Sequence, residues 1–160
     1  MKIILPEKIS RKMILGLQKA SSREIGGILL GEHVNENEFL VSDITIQRIR
    51  GGFAIFERLI QEIVEPLKKF FAKTHHNYKR FNYLGEWHSP PSFVLQPSST
   101  DDSTMKEMID DVDFGANFVV LMIVKLSSYN KLEGTVTVYR NGNGSQPAEL
   151  VLSKEDLKDA

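Results

Sequence analysis

The sequence predicts an α/β domain built on a single mixed, curved β-sheet flanked by helices, and three observations predict it. Two long segments carry apolar residues at helical spacing, and five or six shorter runs are β-rich or continuously aliphatic. The two kinds of segment interleave along the chain, the pattern of a mixed α/β sandwich. At 160 residues, with 41% hydrophobic and 26% charged side chains, the chain has the size and make-up of one globular domain, so 1–160 reads as a single unit.

Residues 2–5 (KIIL) form a short strand stopped by Pro6. From Pro6 to about Ser21, Ile9, Met13, Ile14 and Leu17 recur at helical intervals, and Ser21 and Ser22 end the helix. EIGGILLGE (24–32) is a buried strand in which Gly26 and Gly27 allow close backbone approach. EFLVSDITI (38–46) alternates, so 24–46 is a hairpin turning at Asn35–Asn37. After the Gly51–Gly52 break, a helix from Phe53 to about His75 carries Ile55, Phe56, Leu59, Ile60, Ile63, Leu67, Phe70 and Phe71, with Pro66 expected to kink or divide it. FNYLGEWHS (81–89) is a central strand, and Pro90 to Pro97 is a loop. Ser98 or Ser99 then N-caps a helix reaching about Asp111, with Asp101 and Asp102 in its first turn. ANFVVLMIVKL (116–126) and KLEGTVTVYRN (131–141) make a second hairpin; NGNGSQP is a turn, and the rest of the 141–160 tail is a strand or a short helix.

Composition excludes several classes of function. A net charge of −1 supplies no basic field for nucleic acid or an anionic membrane. The absence of cysteine rules out a thiol nucleophile, a disulfide, cysteine-bound metal and the PCxxC pair of zinc deaminases. The opening MKIILPEKIS is too short in apolar residues for a secretory signal, and no apolar run reaches membrane-spanning length, so the expected location is cytoplasmic. Lys68, Lys69, Lys73, Lys79 and Arg80 form a modest basic stretch, read as a solvated helix face or a contact for an acidic partner.

The chemistry concentrates in GEWHSPPSFVLQPSSTDDSTM (85–105). A histidine from a strand and a carboxylate from the next helix can converge on one metal ion. His88 and Asp101 are the candidate metal ligands, Glu24 the candidate base and Ser98 the candidate oxyanion donor. Taken alone, such a set occurs in most chains of this length.

Its spacing resembles that of the JAB/MPN metalloenzymes and their JAMM motif: an early Glu near small residues, then His-(Ser/Thr)-His, seven residues, Ser, two residues, Asp. Glu24 opens EIGGILLG, His88-Ser89-Pro90 occupies the His-Ser-His positions, and residues 91–97 lead to Ser98 and on to Asp101. The resemblance runs over roughly residues 5–140, in element order as well as motif. It implies a cytidine-deaminase-like sandwich and a zinc-dependent isopeptidase or peptidase, often cutting after the C-terminus of ubiquitin or a ubiquitin-like protein. It further implies that Glu24 activates a zinc-bound water, that Ser98 binds the oxyanion, and that His88 and Asp101 hold Zn2+. A ubiquitin-like protein or its conjugates are the expected partners; nucleic acid and membrane are not.

Position 90 departs from the motif. Residues i and i+2 of a strand share a face, so a histidine there would join His88, but the proline nitrogen is an amide with no lone pair for a metal. Among possible replacements, Ser89 faces the other side of a regular strand, and His33 lies up to roughly 30 Å along the strand from Glu24. His75 and His76 lie at the far end of the strand leading to His88. Asp102 is the nearest, aimed about 100° away from Asp101 on a helix. Two functions follow as expectations: a metallo-isopeptidase with an impaired metal site, or a catalytically silent domain of the same fold that binds a partner.

Overall fold

The computed structural model describes residues 1–49, 60–90, 92 and 94–154. β1 (Lys2–Pro6) runs directly into α1 (Glu7–Ala20), with Pro6 as N-cap, where a residue lacking an N–H costs least. Ile9, Met13, Leu17 and Ala20 form the buried stripe of α1. β2 (Ile25–Asn35) and β3 (Glu38–Ile44) form the expected hairpin. Its turn places Asn37 at a φ of 57°, a left-handed conformation that asparagine tolerates better than most residues. A two-residue strand, β4 (Gln47–Arg48), adds to β2 and carries too few residues for a periodic signal.

The next helix, α2 (Ile60–Lys73), runs through Pro66 as one element rather than two. Residues 50–59, and with them the expected helix start and Ile55, Phe56 and Leu59, lie outside the described residues. Phe70 of α2 buries against Ile28, Leu30 and Ile49, with Leu67 and Phe71 alongside. β5 (Phe81–His88), α3 (Ser99–Asp110), β6 (Phe118–Leu126) and β7 (Leu132–Arg140) fall where periodicity places them. β8 (Gly144–Ser153) forms from residues read as a turn and an undecided tail.

The strand order is β3-β1-β8-β7-β6-β5-β2-β4, and β2 also pairs with β3. The expected curved sheet of five or six strands is therefore corrected: eight strands form the sheet, and seven of them close into a barrel-like ring. Closure rests on β8, which lies parallel to β1 and antiparallel to β7, and on β3, which bridges β1 and β2. These pairings join residues as remote as Lys2 and Glu149, which local periodicity cannot report.

The two faces of the sheet hold separate cores. Val120, Met122 and Val124 of β6 pack with α1 and with residues of β1, β2, β3, β5 and β7. The alternate residues Val119, Leu121 and Ile123 pack with Met105, Met108 and Ile109 of α3 and with Tyr139 of β7. α3 is the crossover between the parallel pair β5 and β6, so its N-terminus is delivered beside the end of β5. No helix among the described residues is long and apolar enough to cross a membrane.

Candidate functional site

Two adjacent antiparallel strands and one helix N-terminus build the site. In the β2–β5 ladder Gly26 pairs with His88 and Gly27 with Trp87. Glu24 immediately precedes β2, and Pro90 lies two residues beyond the end of β5, so both flank this end of the ladder. The Ser89 amide donates to the Ile25 carbonyl at 2.8 Å, and the Ile25 amide donates to Ser89 Oγ at 3.0 Å, which fastens this end of the ladder. Trp87 faces the α1 core, fully buried, its indole N–H donating to the Thr45 carbonyl at 2.9 Å. Alternation turns His88 the other way, toward α3.

At the start of α3, Ser98 and Asp101 form a reciprocal cap. Ser98 Oγ accepts from the Asp101 amide at 3.1 Å, and the Ser98 amide donates to Asp101 Oδ2 at 2.9 Å. That leaves Asp101 Oδ1 free to face His88 Nε2, 3.4 Å away, with both side chains more than nine-tenths buried. Of the four sequence-predicted site residues, His88, Ser98 and Asp101 are thus joined directly. Glu24 stands half-buried immediately before β2; its carbonyl accepts from the Ile49 amide at 3.0 Å, and its carboxylate has no ion-pair partner among the described residues.

The tautomer of His88 follows from its other nitrogen. Nδ1 lies 3.0 Å from the Ser89 carbonyl, which can only accept, so Nδ1 carries a proton. A neutral imidazole then turns the Nε2 lone pair toward the Asp101 carboxylate, acceptor against acceptor. The contact has ion-pair length without hydrogen-bond alignment, and Nε2 is a buried nitrogen with no hydrogen-bond partner among the described residues. A positive charge resolves the conflict, whether a proton on Nε2 or a cation between the two atoms. Burial alone would lower the His88 pKa, but Asp101, the Ser89 carbonyl and Glu86 outweigh it and hold the group above its ordinary 6.5. Burial likewise pushes Asp101 up, and His88 together with the Ser98 hydrogen bonds brings it below its ordinary 3.8.

Residues 6–138 match the sequence model of prokaryotic homologs of the JAB domain. The chain belongs to that family. No curated protein matches it. Among solved structures, this JAB domain is similar to the solution structure of a protein from Desulfitobacterium hafniense, with a TM-score of 0.64 and 18% identity over 96% of this chain and 94% of that one. It is also similar to a Salinibacter ruber protein, with a TM-score of 0.56 and 16% identity over 100% and 95% of the two chains. At these identities the likeness is one of fold.

The zinc that the JAB fold implies fits part of what this chain offers. Two donors each about 2.0–2.1 Å from a tetrahedral zinc stand roughly 3.3 Å apart, close to the His88–Asp101 spacing, and a ligating histidine commonly donates its other N–H to a carbonyl, as His88 does. The third protein donor is missing. No group of three or more His, Asp or Glu side chains among the described residues is placed to hold a metal. Ser89 is engaged with the Ile25 backbone, and Asp102 accepts from the Tyr139 hydroxyl at 2.5 Å. His33 stacks on Phe39 at the other end of β2, and His75 and His76 close the C-terminal end of α2. Of the basic stretch, Lys68 pairs with Glu65 and Arg80 with Glu32.

Sequence reasoning missed Glu86. It is 1% exposed, two residues before His88 on the same strand face, and its charge helps raise the His88 pKa. The available signal was a lone acid inside the apolar strand FNYLGEWH. The Tyr139–Asp102 bond left no trace in the local pattern, because its partners lie 37 residues apart.

Proposed function

We propose that this JAB domain is an isopeptidase- or peptidase-type hydrolase whose metal site is weakened by Pro90. The observation that carries the reading is the buried His88 Nε2, 3.4 Å from Asp101 Oδ1, the spacing of two zinc ligands, and lacking any hydrogen-bond partner among the described residues. His88 and Asp101 would hold the ion; when bound it supplies a Lewis acid and an activated water. Glu24, half-buried immediately before β2 and without an ion-pair partner among the described residues, would take a proton and return it to a leaving amine. Ser98 uses a lone pair in the cap, which leaves its hydroxyl proton to donate to a developing oxyanion. By likeness to the family, the substrate is a peptide or isopeptide bond after the C-terminus of a ubiquitin-like protein, met in the cytoplasm.

Pro90 itself favours a second reading, a domain that binds such a tail without cutting it. Incubation with isopeptide-linked and linear ubiquitin-like fusions, with zinc in excess and Glu24→Ala as control, separates the two. Cleavage that disappears in Glu24→Ala supports the hydrolase. Retained binding of the tail with no cleavage in either protein supports the binding module.

A further inference from the structure

α3 is held to the sheet by more than its apolar face. Three side chains on β7 or just beyond it donate to the segment that carries the site. Thr135 Oγ1 donates to the Leu95 carbonyl at 2.8 Å, the Tyr139 hydroxyl to Asp102 Oδ1 at 2.5 Å, and Asn141 Nδ2 to the Ile109 carbonyl at 3.4 Å. The intervening Val136 and Val138 belong to the α1 core, so the odd-numbered positions of β7 form a tethering face toward α3.

The middle tether differs from its neighbours. Tyr139 is 0% exposed, while Thr135 is exposed to solvent. Burial first, and the Asp102 carboxylate second, push the Tyr139 hydroxyl well above its ordinary range, so it remains a proton donor throughout the working pH range. A hydroxyl donating to a carboxylate at 2.5 Å is a short, charge-assisted bond. Its acceptor is the residue that follows Asp101. Consecutive helical residues point about 100° apart, so Asp102 grips β7 while Asp101 faces β5. The two contacts leave the first turn of α3 one rotational setting.

We propose that Tyr139 is a positioning residue: by holding Asp102 it sets the rotation of the α3 N-terminus and so the aim of Asp101 Oδ1 at His88 Nε2. The inference rests on the metal-holding role given above to His88 and Asp101.

The test compares Tyr139→Phe, Asp102→Ala and Asp102→Asn, each made in the Pro90→His protein, by cobalt(II) titration read from its visible spectrum and by crystal structures of the metal-free forms. Tyr139→Phe and Asp102→Ala are expected to weaken cobalt binding about 10–100-fold, the range found when a group supporting a ligand is lost. They should also move Asp101 Oδ1 from its place beside His88 by more than about 0.5 Å. Asp102→Asn keeps an acceptor oxygen for the tyrosine and is expected to retain both properties, which a simple loss of stability would not reproduce. Parent-like cobalt affinity in Tyr139→Phe, or an unchanged His88–Asp101 spacing in its crystal structure, overturns the proposal. If the Pro90→His parent takes up no cobalt, the metal-holding reading fails on its own, and the spacing in Tyr139→Phe then decides the positioning role.

Discussion

Gly26 and His88 face each other across the β2–β5 ladder, and the glycine is what lets the two strands approach there. A Cβ at position 26 would collide with the Trp87 carbonyl and the Ile49 side chain and would stand 2.8 Å from His88 Cβ. Two of these three contacts belong to the strand that presents the imidazole, so strain at Gly26 is transmitted to His88. Gly26→Ala is therefore expected to destabilise the domain by about 1–3 kcal/mol, the usual cost of overpacking. Urea unfolding measures it, and an unchanged midpoint would show that β2 can shift without cost.

Replacing Pro90 with histidine supplies an imidazole two residues after His88, at the position where the motif carries its second histidine. The unsubstituted protein should be isolated with less than one zinc per chain, and Pro90→His with close to one. Elemental analysis of the two proteins side by side checks this. Full occupancy in the unsubstituted protein would mean that two protein donors suffice.

Ser98→Ala removes the side chain that accepts from the Asp101 amide and opens the reciprocal cap. The expected loss is about 1 kcal/mol of stability, typical for an N-cap serine. It should be accompanied by weaker metal uptake in the Pro90→His background, because Asp101 loses one of its two anchors. Denaturant midpoints and metal titration read the two effects separately.

The His88–Asp101 pair gives the metal-free protein a pH signature. The raised pKa of His88 contributes stability that is fully present below its ordinary 6.5 and is lost as pH rises through the folded value. The lowered pKa of Asp101 contributes stability present above its ordinary 3.8 and lost as pH falls through the folded value. Both contributions coincide between about pH 4 and 6.5, where the thermal midpoint of the parent should exceed that of His88→Gln by most. A difference that is flat from pH 3 to 9 would show that the pair carries no charge coupling.

Much of the architecture was legible because local pattern and tertiary role coincide. Ile9, Met13 and Leu17 announce a helix by spacing and are its buried face. Ser98 and Asp101 stand three apart both as a cap and as candidate site residues, so one spacing encoded the helix start and the candidate site together. Illegible features depend on partners remote in the chain. The closing strand β8 reads as polar turn residues followed by a weakly alternating tail, and only its seat between β1 and β7 makes it a strand. Glu86 was passed over because its burial comes with its seat between β2 and β6, opposite Ile28 and Leu121, not with the apolar run around it. Pro66 breaks a helix on propensity alone, yet α2 continues through it, with Phe70 and Leu67 packed on the sheet.

The seat of β8 also bears on how the domain is made. A ribosome releases β1 first and residues 144–153 last among the described elements, yet these two strands are neighbours, with the Glu149 amide donating to the Met1 carbonyl at 3.1 Å. Until residues 144–153 emerge, β1 and β7 each expose an unpaired row of amides and carbonyls. β8, the last of the described strands, thus acts as a late lock, and during synthesis the nascent chain presents two open sheet edges to whatever strand-forming segment is nearby.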